Sequence, residues 1–160
     1  MSHKYLNKLG IKSDSTAIFN TEEKDQDRDK RFKKQRKKYG FDERETWCLD
    51  YTFITWLYSH LRLYKKVSIV NLDYHKFEIP VLYELSPDEL EYDTGCKYPK
   101  KYYKEVIETH TQGEAINLMI YYFQFYLLND NSEIEPEFRA FEKAKCGIKI
   151  FAEVFGAMWW

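Results

Sequence analysis

Seven residues, Leu49, Phe53, Trp56, Leu57, His60, Leu61 and Tyr64, recur at steps of three and four. A helix gathers such a series into one stripe, whereas a strand scatters it over both faces. The spacing therefore commits the chain to one long amphipathic helix from about Thr46. Glu43, Glu45 and Asp50 stand near its expected start and Arg62, Lys65 and Lys66 near its end, the order that the helix dipole favours. Asp42 or Thr46 is placed to cap it.

The same step recurs in Ile116, Met119, Ile120, Phe123 and Leu127. It predicts a second main helix, beginning near Pro99 or Thr111 and ending at the turn residues Asn129-Asp130-Asn131-Ser132. Gly113 would divide it from a shorter helix holding Tyr102, Val106 and Ile107. A last helix, from about Glu135 to Trp159, is expected to pack through a seam of Phe138, Phe141, Lys145, Ile148, Phe151, Ala152, Phe155, Met158 and Trp159. Between the first two helices Phe77, Ile79, Val81 and Tyr83 alternate as in a strand, while Pro80 confines such a strand to an edge. Ser86-Pro87-Asp88-Glu89 reads as the start of a helix of one or two turns.

The expected fold is thus mainly α. A compact bundle of three to four main helices carries a short extended or β-like insertion at about 67–98. A flexible basic N-terminal arm at 1–38 precedes a single helical domain at 39–160.

Composition agrees with one domain, since the chain has 160 residues, 44% of them hydrophobic and 18% aromatic, which supplies a core and leaves rings over. Disorder along the whole length is excluded. Residues 115–128 are the longest mainly apolar stretch; Asn117 and Gln124 interrupt it, and it is shorter than the roughly 18–20 residues of a membrane span. The first thirty residues carry Asp14, Glu22, Glu23 and Asp25 and no apolar core of a secretory signal, so function in the cytoplasm is expected. Cys48, Cys96 and Cys146 lack paired CxxC spacing and are expected as reduced thiols.

Formal charge is 25 minus 26, or −1, but it is unevenly spread. Lys30, Arg31, Lys33, Lys34, Arg36, Lys37 and Lys38 follow one another with no acid among them. Such a run is either a solvated helix face or a phosphate-binding patch. Within it, Lys33, Lys34, Arg36, Lys37 and Lys38 are the residues expected to contact nucleic acid if the second reading holds.

Phosphate loops, dinucleotide fingerprints, HExxH and GxSxG are all missing from the sequence, so a non-enzymatic protein without a cofactor is expected. His60 falls on the apolar stripe and reads as a core or boundary residue. Glu108, His110 and Glu114 form the best metal or acid–base cluster, because His110 and Glu114 share the i,i+4 spacing. They are weak candidates, since no further ligand stands at a diagnostic spacing. Capping and dipole physics already account for Asp42, Glu43, Glu45 and Asp50. Arg44 and Asp50 either pair across the helix start or leave Arg44 for an anionic ligand. Tyr98, Tyr102, Tyr103, Tyr121, Tyr122 and Tyr126 cannot all share one core stripe with the aliphatic residues, so some rings are expected to face solvent or a partner. Trp159 and Trp160 either cover the bundle end or form an oligomer contact.

Gly40-Phe41 followed five residues later by Trp47-Cys48-Leu49-Asp50 resembles a family of small, mostly uncharacterised phage-encoded helical proteins with a Gly-Phe-x5-Trp-x-Leu-Asp signature. The likeness continues at Leu61-Arg62-Leu63-Tyr64-Lys65, at 116–123 and at 147–155, and covers about residues 39–160. It implies a phage origin and an α-rich fold, and no reaction.

From these features the expected function is that of a phage counter-defence factor. Such a protein, as a homo-oligomer, sequesters or inhibits a host defence component, either a protein or a small nucleotide ligand. Ligand-binding residues are expected among Arg44, Trp47, Asp50, Tyr98, Tyr102, Tyr122, Trp159 and Trp160. The alternative is a nucleic-acid-binding accessory protein that acts through the basic arm.

Overall fold

The computed structural model describes residues 4–10, 26–47, 49–69, 71–129 and 134–158. The fold is mainly α with a short β insertion. Helices α1 (Lys4–Asn7), α2 (Gln26–Tyr39), α3 (Arg44–Trp47) and α4 (Leu49–Val67) precede strands β1 (Lys76–Glu84) and β2 (Tyr103–Thr111), and α5 (Gln112–Asn129) and α6 (Ile134–Val154) close the chain. Two compact units, Met1–Ser59 and His60–Trp160, divide within α4. Among the described residues no helix is long and apolar enough to cross a membrane.

In the first unit, α2 carries Asp27 and Asp29 in its first turn and Arg36, Lys37 and Lys38 in its last, matching the macrodipole at both ends. It stops at Gly40, whose φ of +85° is the left-handed conformation that glycine adopts without a Cβ penalty. The Gly40 N–H donates to the Arg36 carbonyl at 3.0 Å. Asp42 then caps α3: its Oδ1 accepts from the Arg44 N–H at 3.2 Å, while the Glu45 carboxylate accepts from the Asp42 N–H at 3.3 Å.

The expected stripe of α4 is corrected. Leu49, Phe53, Trp56 and His60 are exposed, and the buried face is formed by Tyr51, Ile54, Thr55 and Tyr58, with Leu57 and Leu61 common to both. Both series step by three and four, so periodicity cannot rank them; packing buries the tyrosine series because a phenol ring covers as much apolar area as Phe.

In the second unit β1 pairs antiparallel with β2, Lys76 opposite Thr111 and Glu84 opposite Tyr103. Pro80 is tolerated because it shares the parity of Leu82. The Leu82 N–H points away from β2 and donates to the Tyr122 hydroxyl at 2.9 Å, so a proline two residues earlier removes no ladder bond. The Pro80 carbonyl accepts from Cys146 Sγ at 3.4 Å. The short helix expected at Tyr102, Val106 and Ile107 is instead strand β2, in which Val106, Ile107, Thr109 and Thr111 are β-branched. The strand turns directly into α5, where Thr111 and Glu114 make reciprocal side-chain bonds to each other's N–H at 3.2 and 2.8 Å.

Helix α5 buries the predicted face, Ile116, Met119, Ile120, Phe123 and Leu127, and packs on α6. The seam predicted for α6 is overturned. Phe138, Lys145, Ile148, Ala152 and Phe155 face solvent, and Ala140, Ala144, Cys146, Gly147, Ile150 and Val154 form the buried side. Small residues win because they admit the neighbouring helix. A Cβ at Gly147 would lie 2.7 Å from Phe123 Cε1, closer than carbon atoms tolerate. The turn expected at Asn129–Ser132 falls largely on residues outside those described, as do Trp159 and Trp160.

Replacing a mid-helix glycine by alanine normally stabilises by about 1 kcal/mol. At Gly147 the overlap with Phe123 reverses the sign, and Gly147→Ala is expected to lower stability by about 1–3 kcal/mol in denaturant titration. An unchanged or raised midpoint would contradict the close α5–α6 approach.

Candidate nucleic-acid interface

In α2 the basic run divides by chemistry. Phe32, the one apolar residue within it, is buried, and the arginines on either side of that ring turn toward the segment that follows. Arg31 meets Glu43 at 2.5 Å. Arg36 meets Asp42 at 2.7 Å and Glu45 at 2.6 Å, and Gln35 both donates to the Glu43 carboxylate and accepts its N–H.

Asp42 is the centre of this arrangement, with a side chain of 0% exposure. Arg44 binds it in bidentate fashion, Nε to Oδ1 at 2.8 Å and Nη2 to Oδ2 at 2.9 Å, and lies 4.3 Å from the Phe32 ring centroid. The Arg44 hydrogen bond, helped by the positive charge of Arg36, holds the Asp42 carboxyl below its usual range against the opposing effect of burial. Both guanidinium groups are thus engaged within the unit.

The lysines behave differently. Lys30, Lys33, Lys34 and Lys37 follow the i, i+3, i+4, i+7 pattern of one helical face, opposite Phe32. All four are exposed. Lys30 has only a 3.4 Å contact with Asp27, itself almost fully solvated, and among the described residues Lys33, Lys34 and Lys37 have no carboxylate partner. The result is a cationic row about 10 Å long at 1.5 Å per residue. At the C-terminal end of α2, Lys38 Nζ stands 4.8 Å from the Tyr39 ring centroid. Tyr39 and Phe41 are exposed large aromatics with ring centroids 6.2 Å apart.

Other predicted residues fall elsewhere. Trp47 lies in α3, with its side chain outside the described set, and Asp50 is an exposed residue of the first turn of α4. Tyr122 is a core residue whose hydroxyl accepts from Leu82, and burial pushes its pKa up to about 12. Tyr98 packs edge-on against Phe138 at 5.7 Å. Tyr102 is buried beneath the Arg139 guanidinium, 4.4 Å from the ring centroid. It lines an open cleft of about 390 Å³ with Pro99, Lys100, Phe138, Phe141 and Lys145. Glu142 also lines the cleft, and its carboxylate accepts from the Tyr102 and Tyr103 N–H groups at 2.9 and 3.3 Å.

Glu108, His110 and Glu114 do come together. His110 Nε2 is 3.0 Å from Glu108 and Nδ1 is 3.5 Å from Glu114. Each ring nitrogen therefore faces a carboxylate rather than open space. Glu108 is bonded by the Tyr83 hydroxyl and by His110, both of which hold its pKa low, and Glu114 serves the cap of α5. Among the described residues no group of three His, Cys, Asp or Glu side chains is arranged to hold a metal ion.

Sequence reasoning missed Lys143. It is 7% exposed, with Nζ 4.2 Å from the Phe125 centroid and 4.6 Å from that of Tyr121, whose hydroxyl accepts its proton at 3.0 Å. The signal was the clustering of aromatics at 121–125 opposite one lysine of α6, visible only once the two helices are paired.

Because the folded-state pKa of Asp42 lies below its unfolded value of about 3.9, its stabilising contribution is complete above that value and is lost as pH falls beneath it. Asp42→Asn is expected to cost about 3 kcal/mol at neutral pH, and to flatten the loss of stability as pH falls below about 4. Denaturant midpoints of both proteins across that range test this.

Comparison of the chain with protein-family models, with curated proteins and with solved structures finds no match in any of the three.

Proposed function

We propose that this protein binds nucleic acid through the lysine face of α2, with the Tyr39–Phe41 pair as a stacking platform beside it. One observation carries the reading: the acids near α2 engage the arginines of its inner side, while Lys33, Lys34 and Lys37 stand together on the outer side with no carboxylate partner among the described residues. A row of unpaired ammonium groups gains free energy by displacing the counterions of a phosphate backbone. Exposed rings beside it gain by stacking on unpaired bases. With the phage origin that the sequence resemblance implies, this makes the protein a nucleic-acid accessory rather than an enzyme.

Sequestration of a small nucleotide signal, as a counter-defence factor would perform, has less support. It needs a ring and an unopposed cation in one pocket. The cleft at Tyr102 supplies rings, but it holds the Glu142 carboxylate, and its Lys100 is paired with Asp93 at 3.0 Å. A phosphate there would meet an acid as well as the ammonium of Lys145.

Affinity for a single-stranded oligonucleotide, measured by fluorescence anisotropy over a salt series, is expected to fall steeply with ionic strength. The triple variant Lys33→Ala, Lys34→Ala, Lys37→Ala should flatten the log–log slope by about one for each lysine. A slope equal to that of the unaltered protein would rule out the α2 face. Tyr39→Ala with Phe41→Ala is expected to weaken single-strand binding by about 1–3 kcal/mol per stacked base and to leave duplex binding nearly unchanged.

A further inference from the structure

Helix α6 is apolar on two faces. The face of small residues, Ala140, Ala144, Gly147, Ile150 and Val154, belongs to the core. The second face follows a seven-residue step: Phe138, Lys145 and Ala152 occupy one position of the repeat, and Phe141 and Ile148 the position three residues later, with Phe155 prolonging it in the 3-10 turn that follows α6. That is the a/d pattern of a helix that packs along a single narrow seam. Tyr98 meets Phe138 edge-on and Tyr126 meets Phe141 edge-on, yet among the described residues the face stays open to solvent: Phe138 is 44%, Ile148 39% and Phe155 65% exposed.

We propose that this face pairs with the same face of a second copy of the chain, the two α6 helices running antiparallel. The pattern is self-complementary when the helix is turned end for end about the point between Cys146 and Gly147. Phe138 then stands opposite Phe155 of the second copy, Phe141 opposite Ala152, and Lys145 opposite Ile148. One layer sets a large residue against a small one. A parallel arrangement would instead press Lys145 against its own copy, two ammonium groups at one layer. The surface relief agrees with the antiparallel register. Phe155, the most exposed ring of the seam, arrives beside Phe138, where the 390 Å³ cleft lined by Tyr102, Phe138, Phe141 and Lys145 lies open to take it. The knob and its hole belong to the same chain but cannot meet within one copy, because Phe138 lies near the start of α6 and Phe155 in the turn just beyond its end. Lys145 is the polar interruption that fixes register, its ammonium reaching past Ile148 to solvent. This inference is independent of the nucleic-acid reading.

Sedimentation velocity of the full chain over a range of concentrations is expected to show a monomer–dimer equilibrium. Phe155→Glu should give a monomer with an unchanged far-UV circular dichroism spectrum, since Phe155 lies outside the core. Lys145→Leu should tighten the dimer at least several-fold. In a Cys48→Ser, Cys96→Ser background, the double variant Lys145→Cys, Ile148→Cys is expected to form an interchain disulfide under mild oxidation more readily than either single cysteine. A chain that stays monomeric at every concentration, or a dimer that survives Phe155→Glu, overturns the proposal. Stronger cross-linking by the single cysteines overturns the antiparallel register.

Discussion

The contact between Gly147 and the Phe123 ring decides how the second unit is built. A missing Cβ lets α6 approach α5 so closely that even a methyl group would sit 2.7 Å from a ring carbon. Once the small residues of α6 take the inner side, geometry turns Phe138, Ile148 and Phe155 outward, because the two sets lie on different arcs of one helix. The β ribbon is fixed by the same arrangement: α6 presents Cys146 to the Pro80 carbonyl and Glu142 to the N–H groups of Tyr102 and Tyr103, and α5 presents the Tyr122 hydroxyl to Leu82. A proline within the first strand is thereby accommodated, and the start of the second is held by a carboxylate.

The first unit is organised by a charge rather than by a void. Asp42 collects two guanidinium groups and caps a helix, and removing any of these partners leaves a buried carboxylate poorly compensated. Its consequence for function is indirect. By drawing Arg36 and Arg44 to one side it sorts a uniformly basic run into an inner structural side and an outer side of lysines. Charge alone does not make this distinction. An arginine forms two parallel bonds to one carboxylate, whereas a lysine is a well-hydrated point charge that remains in solvent.

Some of this was legible in the residues. The apolar stripe of α5 was correctly placed: Ile116, Met119, Ile120, Phe123 and Leu127 are buried, while the competing series Leu118, Tyr121, Phe125 and Leu128 stays partly or wholly exposed. On the other two long helices, where stripes with the same step also compete, the reading failed. On α4 the aromatic and aliphatic series at 49, 53, 56 and 60 outranked a tyrosine-rich one by hydropathy, and on α6 the phenylalanines outranked alanine and glycine. Strand β2 was read as helix although four of its nine residues are β-branched, since Val106 and Ile107 also fit the helical step. In the candidate interface, the lysines were named from the sequence, but their separation from the arginines was not. Tyr39 and Phe41 lie next to the basic run in the chain, and only the turn at Gly40 brings their rings together.

The sequence by itself determined that the three longest helices, α4, α5 and α6, are helical, where the positive charge is concentrated and that rings exceed what one core stripe can hold. These are local properties, set by spacing and composition within a few turns. The tertiary structure alone decided which face of each helix is buried, which cations remain unpaired and which aromatics stay outside. Those outcomes depend on how closely two elements approach, and that distance is governed by side-chain volume across the interface, a quantity that no single segment contains.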